Sequence, residues 1–498
     1  MAAEPAKRRL VLHFNLPRTL LVGDPDGKGN AEERIITTEL ALKTALADQA
    51  WGIVEDEEFV LSHPDVQVER PSDEMYSYTE FLTMKFPIQG QSKFTQDENR
   101  QLHEQMILEF VKTGPGAKLR ASFDQMVKAI AFPKPLAKAL NMAVPILDET
   151  SSEDCKYQPD KGKENLTRFG RYIFVPAFFT LIQTLTKEKR DFSIVFHSMS
   201  ADVLDEAVLE MNAYANGEHP CFNGQNKTKK ALFNGEKGSK DLRVQPMDRG
   251  VLARRAMTLE FQQRPQQLPK PGEDFPLMFE PTVLKKGAAI YSGLVHRVCT
   301  ESGCAAILHD QEYWVSDKKN GGKLFFVDTG DSLEDVQQIF FDGSVSAKDP
   351  SALRMQDVVT NEAFDHSSET FNNVYVHYVE DVRQLVLNPL YFVEQVAACE
   401  SQFEKFVEKS RAKLTASTLH PLLDLLKEGG AGLDEQALLK KALADKGAKD
   451  YLYATVIPVL FGGLEQVAKF RPDDPCEFLA FYLMRHANGY NRTLRLED

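Results

Sequence analysis

Three shortages frame this 498-residue chain. Cysteine is scarce and dispersed: Cys155, Cys221, Cys299, Cys304, Cys399 and Cys476 nowhere fall into a Cys-x-x-Cys pair. That spacing speaks against a zinc site or a disulfide framework and fits reduced thiols in the cytoplasm. Positive charge is short as well. Lys and Arg number 59 against 73 Asp and Glu, a net charge of −14, and no cluster is present that would neutralise a phosphate backbone. Long hydrophobic runs are missing too. The most apolar stretch, YIFVPAFFTLI at 172–182, is far below the length needed to cross a bilayer, and the opening MAAEPAKRR lacks the apolar segment of a secretory signal. Neither a nucleic acid nor a membrane is an expected partner.

What remains is ordinary globular composition, 43 % apolar and 27 % charged, in a chain long enough for two or three domains. Strand-like runs alternate with helical periodicities. Leu10–Phe14, Phe192–Phe196, Ala288–Val298, Ala305–Leu308, Lys323–Val327 and Gln337–Phe341 read as strands. Ile35–Ala50 and the segment after His197 read as helices, and Thr95 with Glu98 reads as a capping box opening a helix that carries Leu102, Met106 and Phe110. The Gly-, Lys- and Pro-containing stretch 216–270 reads as long surface loops of unassigned role. Strands separated by helices imply an α/β fold with a parallel sheet. After Asp381 the pattern is helical only, broken by KEGGAGLDE at 427–435.

In such sheets ligands bind beyond the carboxyl ends of the strands, where Asn15, Ser198, Lys323 and Asp342 fall. From about Arg9 to Leu390 the ordered motifs HFNLPRT, IVFHS, GGKLFFVD and QQIFFDGS resemble the haloacid dehalogenase superfamily, most closely a protist group whose first motif runs HFDxNxT. The resemblance implies a Rossmannoid parallel sheet with inserted cap and loop regions. It also implies a phosphoryl-transfer pocket in which a first Asp attacks phosphorus and holds magnesium, and a second Asp, two residues on, moves a proton. A Thr or Ser then orients the phosphoryl group, a Lys neutralises charge, and late acids complete the metal shell.

Carried onto this chain, the first Asp matches Asn15, the second Pro17, and the Thr that follows is Thr19. Ser198, Lys323 and Asp342 match the later motifs, with Gly343 where a second acid is usual. An amide is a poor nucleophile and a weak magnesium ligand, and Pro17 cannot move a proton. The expectation is a catalytically dead pocket with no metal or cofactor. Two readings stand beside it: an active magnesium phosphatase, and a rival register in which Asp24 and Asp26 supply the paired acids. Asp24 and Asp26 sit in a Gly- and Pro-crowded turn, where Asp is a usual turn former. Ser198 is equally a helix-capping candidate, and His219, His296 and His309, lacking metal spacing, read as scattered histidines.

The C-terminal segment carries a denser signal. Tyr453, Val456, Ile457, Leu460, Leu464 and Val467 recur at three- and four-residue steps, one apolar stripe on a helix. Arg471-Pro472 ends it, and Asp474, Pro475 and Glu477 open a second helix bearing Phe478, Leu479, Tyr482 and Leu483. Two helices this apolar and this short need a second copy, and a four-helix bundle from two chains is the natural solution. The stretch YLYATVIPVLFGGL…RPDDPCEFLAFYL resembles the Dpy-thirty (dumpy) motif, departing from it mildly at Val467-Ala468.

That resemblance implies a homodimer or heterodimer whose groove takes an amphipathic helix of a scaffold protein. Members of that family serve in chromatin methyltransferase complexes and in axonemal assemblies such as radial spokes. The expected organisation is an α/β domain over 1–395, a helical linker over 396–448 and a dimerisation and docking motif over 449–498. The expected function is a non-catalytic scaffold subunit of a ciliary or flagellar axoneme. The alternatives are a phosphatase tethered by its tail and a nuclear methyltransferase-complex scaffold.

Overall fold

The computed structural model describes residues 8–22, 31–63, 65–88, 90–139, 171–255, 258–263, 284–285, 303–309, 323–327, 336–343, 353–357, 364 and 373–408, and seven positions between 460 and 483. The chain divides into two units, Met1–Phe406 and Val407–Asp498.

The first unit is α/β. Its strands, in chain order, are β1 (Arg9–Asn15), β2 (Trp51–Glu55), β3 (Glu58–Leu61), β4 (Tyr76–Ser77), β5 (Phe192–Ser198), β6 (Val244–Arg255) and β7 (Thr258–Gln263). There follow β8 (Leu284–Lys285), β9 (Cys304–His309), β10 (Lys323–Val327), β11 (Val336–Asp342), β12 (Leu353–Asp357) and β13 (Val376–Tyr378). Eight of them form one sheet in the order β13-β11-β1-β5-β9-β6-β7-β8. Pairing is parallel from β13 through to β6 and antiparallel at the β6–β7 and β7–β8 edge. β1 is an interior strand, third from one edge. The chain passes from β1 to β5 on one side and from β11 to β13 on the other, so the connections diverge at the carboxyl ends of β1 and β11. That is the topological switch point where such sheets open a crevice.

Alternation along each strand gives the sheet two unlike faces. Leu10, Leu12, Phe14, Ile194, Phe196, Ile339 and Phe341 join the main apolar core. Phe178, from the helix Pro176–Lys187, meets Phe14 edge-on at 5.4 Å, and Phe392, from a helix over 391–408, meets Phe14 and Phe341 at 5.3 Å. The opposite face carries His13, Asn15, His197, His309, Gln338 and Asp342, all buried. β10, which pairs with β12 in a separate two-stranded sheet, brings Phe325 against His13 at 4.8 Å on this polar side.

Several sequence expectations change here. The helix Lys93–Glu109 starts at Ser92, whose side chain accepts the Thr95 amide, so Thr95 lies inside the first turn instead of capping it. The stretch 216–270 is not loop throughout. It contributes β6 and β7 to the main sheet, and Leu242 and Val244 are buried. β6 accommodates Pro246, which has no N–H to donate, inside a register shift against β9 between Val244 and Arg249. The helix over 391–408 runs straight through the expected boundary at 395/396, because Phe392, Val396, Cys399 and Phe403 are buried. Arg190 ties it down through Glu400 at 2.5 Å and also donates to the Arg8 carbonyl. The expected strand over Ala288–Val298 lies outside the described residues.

Candidate functional site

Asn15 ends β1 and Asp342 ends β11, and the parallel register Phe14↔Phe341 brings the two abreast. The Asn15 side-chain amide donates to Asp342 Oδ1 at 3.0 Å and to the Pro17 carbonyl at 3.2 Å. Both neighbours only accept, so the orientation of the amide follows from its partners. Lys323, the first residue of β10, donates from Nζ to Asp342 Oδ2 at 2.8 Å, and that ion pair is buried. Each carboxylate oxygen of Asp342 therefore faces a donor from this chain.

A tight loop closes over the strand ends. Leu16 accepts from the amides of Leu20 and Leu21, and Arg18 sits in the left-handed region at φ 57°. Thr19 Oγ1 accepts the Gly343 amide at 2.8 Å. A Cβ added at Gly343 would run into the Arg18 carbonyl, so glycine is required there by close approach of backbone. The position where the resemblance calls for a second acid is thus filled by the loop carrying Pro17 and Arg18. A magnesium ion asks for several oxygen ligands. Among the described residues the carboxylate at this centre is that of Asp342, already bonded by an amide and an ammonium, so this donor set does not fit the ion. Among the described residues no group of three or more His, Cys, Asp or Glu could hold a metal ion.

Of the sequence-derived residues, Asn15, Thr19, Lys323 and Asp342 come together. Ser198 does not join them: both its hydrogen bonds, at 3.0 Å, go to the backbone of Ser200. Ser200, not Ser198, caps the helix Ala201–Ala215. Asp24 and Asp26 lie outside the described residues.

A second polar group was missed in the sequence. His13 Nδ1 lies 2.9 Å from His197 Nε2, and His197 Nδ1 lies 2.9 Å from His309 Nε2. His13 Nε2 meets Gln338 Oε1 at 3.0 Å. Burial holds His13 and His309 down to about 3, opposed at His13 by the Gln338 bond and reinforced at His309 by the Lys323 charge. Burial also holds His197 well below its ordinary value, and His309, His13 and Lys323 add to the effect. His309 is therefore part of a row and not scattered. Its sequence signal is a His within or at the end of an apolar strand-like run three times, in VLHF, VFHS and AILH. His219 is a satisfied core residue, with Nε2 on Glu210 at 2.9 Å and Nδ1 accepting the Cys221 amide. His296 lies outside the described residues.

In the second unit Leu460, Gly463, Leu464, Val467, Pro475, Leu479 and Leu483 are helical. Leu460, Val467, Leu479 and Leu483 are half-buried and Leu464 is 45 % exposed. The remaining expected docking residues, Tyr453, Val456, Ile457, Phe478 and Tyr482, lie outside the described residues.

Comparison with known families decides what this segment is. Residues 447–488 are a Dpy-30 motif. The Dpy-30 motif is a module for dimerisation and for docking partner helices in complexes. It starts within two residues of the expected 449. No solved structure matches the chain.

Proposed function

We propose that this protein is a non-catalytic scaffold subunit. Its Dpy-30 motif pairs with a second copy, or with another Dpy-30 chain, and holds an amphipathic helix of a partner. The α/β unit is read as a degenerate haloacid-dehalogenase-like domain that requires no metal ion and offers a second, independent contact surface. The carrying observation is the motif at 447–488 together with the exposure of Leu464 on its helix.

The non-catalytic part of this reading rests on the closed network of Asn15, Lys323 and Asp342. A nucleophile must present a lone pair to phosphorus. Asn15 presents N–H groups to two acceptors instead. A transferred phosphoryl group would also need the charge of Lys323, which is bound to Asp342.

The complex we assign is a ciliary or flagellar axoneme of the radial-spoke kind. The support is the joining of a Dpy-30 motif to a large α/β domain. Pull-downs from ciliated cells with residues 445–498 and with the full chain test the reading. Both should retain the same amphipathic-helix protein. Retention by the full chain alone would mean that docking depends on the α/β unit and would overturn this division of roles.

A further inference from the structure

Gln338, His13, His197 and His309 lie on four neighbouring strands, β11, β1, β5 and β9, and their side chains form one continuous series of hydrogen bonds. With the Gln338 amide oriented so that its oxygen faces His13, the direction of the series follows. Gln338 offers its oxygen, so His13 must carry its proton on Nε2 and accept on Nδ1. His197 must then donate from Nε2 and accept on Nδ1, and His309 must donate from Nε2. One glutamine orientation thus sets three tautomers. His13 and His197 are each 2 % exposed, and His309, at 6 %, is the end nearer solvent.

We propose that His13, His197 and His309 form a single polarised hydrogen-bond chain, directed toward Gln338, that fixes the register of four sheet strands while neutral and is opened by acid entering at His309.

A first proton on His309 Nδ1 breaks no bond of the series, since His309 still donates from Nε2, but burial and the Lys323 charge oppose it. A second has nowhere to go without loss. His197 Nδ1 is already accepting, and protonating it sets N–H against N–H across the β5–β9 pair. Lys323, paired with Asp342, is the charged side chain that acts on His197 and His309. Phe325 and Phe340 pack on the rings. Lys323 opposes further positive charge at His197 and His309.

The sign follows from linkage. The three rings are held below the ordinary histidine value of 6.5, His13 and His309 near 3, so below 6.5 the unfolded chain takes up protons that the folded chain refuses. Their contribution is complete above about pH 6.5 and is lost as pH falls through the window toward about 3.

Two measurements on the full chain test this. With histidine labelled in ¹⁵N at pH 7.5, His13, His197 and His309 should all show Nε2–H tautomers. An Nδ1–H ring at any of the three overturns the stated polarity. His309→Gln keeps a donor toward His197 but cannot titrate, so the fold should survive. Between pH 6 and 4 the unfolding constant of the wild type should rise more steeply than that of His309→Gln, by up to about tenfold per pH unit. Identical pH dependence in the two proteins overturns the proposal.

Discussion

Gly343 donates its amide to Thr19 Oγ1 at 2.8 Å, locking the end of β11 to the loop that follows β1. The same closeness puts the Arg18 carbonyl where any side chain at 343 would begin. Gly343→Asp, which restores an acid to the position, should therefore fail to restore a site. The expected outcome is a loss of about 1–3 kcal/mol from overpacking, read as a lower urea midpoint, with no magnesium-dependent hydrolysis of p-nitrophenyl phosphate.

Lys323 donates to Asp342 in a buried ion pair. Lys323→Met should cost roughly 3–5 kcal/mol, because it leaves a buried carboxylate without its counter-charge. Combining it with Asp342→Asn should recover most of that loss. Chemical denaturation of the two single variants and the double variant gives the coupling directly. Additive losses would mean that the pair is not energetically linked.

Asn15→Asp replaces a donor with an acceptor facing two acceptors. The new carboxyl should have a folded-state pKa raised above its unfolded value, since burial and Asp342 both disfavour its charge. A raised carboxyl pKa means that the folded state holds the proton longer. The deficit relative to wild type, roughly 2–4 kcal/mol at pH 7.5, should therefore shrink as pH falls toward 5. Denaturation of both proteins at pH 7.5, 6 and 5 checks the sign. Phosphatase turnover in this variant would sink the reading of a closed pocket.

Leu464→Glu tests the second unit. A carboxylate on the docking stripe must lose its hydration or be protonated when the helices pair, at a cost of several kcal/mol. Light scattering should report a monomer where the wild type is a dimer. Urea unfolding of the α/β unit should be unchanged. A persistent dimer would place the interface outside the Dpy-30 motif.

The strands that build the pocket were legible because buried parallel strands are rich in apolar residues, as in β1, β5, β9 and the IFF core of β11. Convergence of Asn15 and Asp342 followed from their places at the carboxyl ends of adjacent strands; Lys323 was expected there too, but it opens β10 in a separate two-stranded sheet and reaches Asp342 from that side. β6 was illegible for a local reason. Pro246, Asp248, Arg249 and Gly250 look like turn chemistry, and only the register shift against β9 accommodates them in a sheet. The hairpin Trp51–Leu61 escaped because its two-residue turn uses Asp56 and Glu57 at φ 49° and 66°, where asparagine and glycine are the usual signal. Each histidine has a local signal, but their assembly into a row does not. Its bonds join residues 184 and 112 apart, and only strand order brings them side by side.

The helix over 391–408 has a mechanical consequence. A tail that grips a partner transmits tension to its own chain, and that tension enters the first unit from residue 407 onward. It meets a helix embedded through Phe392, Val396, Cys399 and Phe403 and bolted at Glu400 to Arg190, which also grips the chain just before β1. Pulling such a helix along its axis loads all these contacts in shear at once, whereas an edge strand would peel bond by bond. A pull on the tail would therefore reach the sheet through a helix held at several buried positions at once.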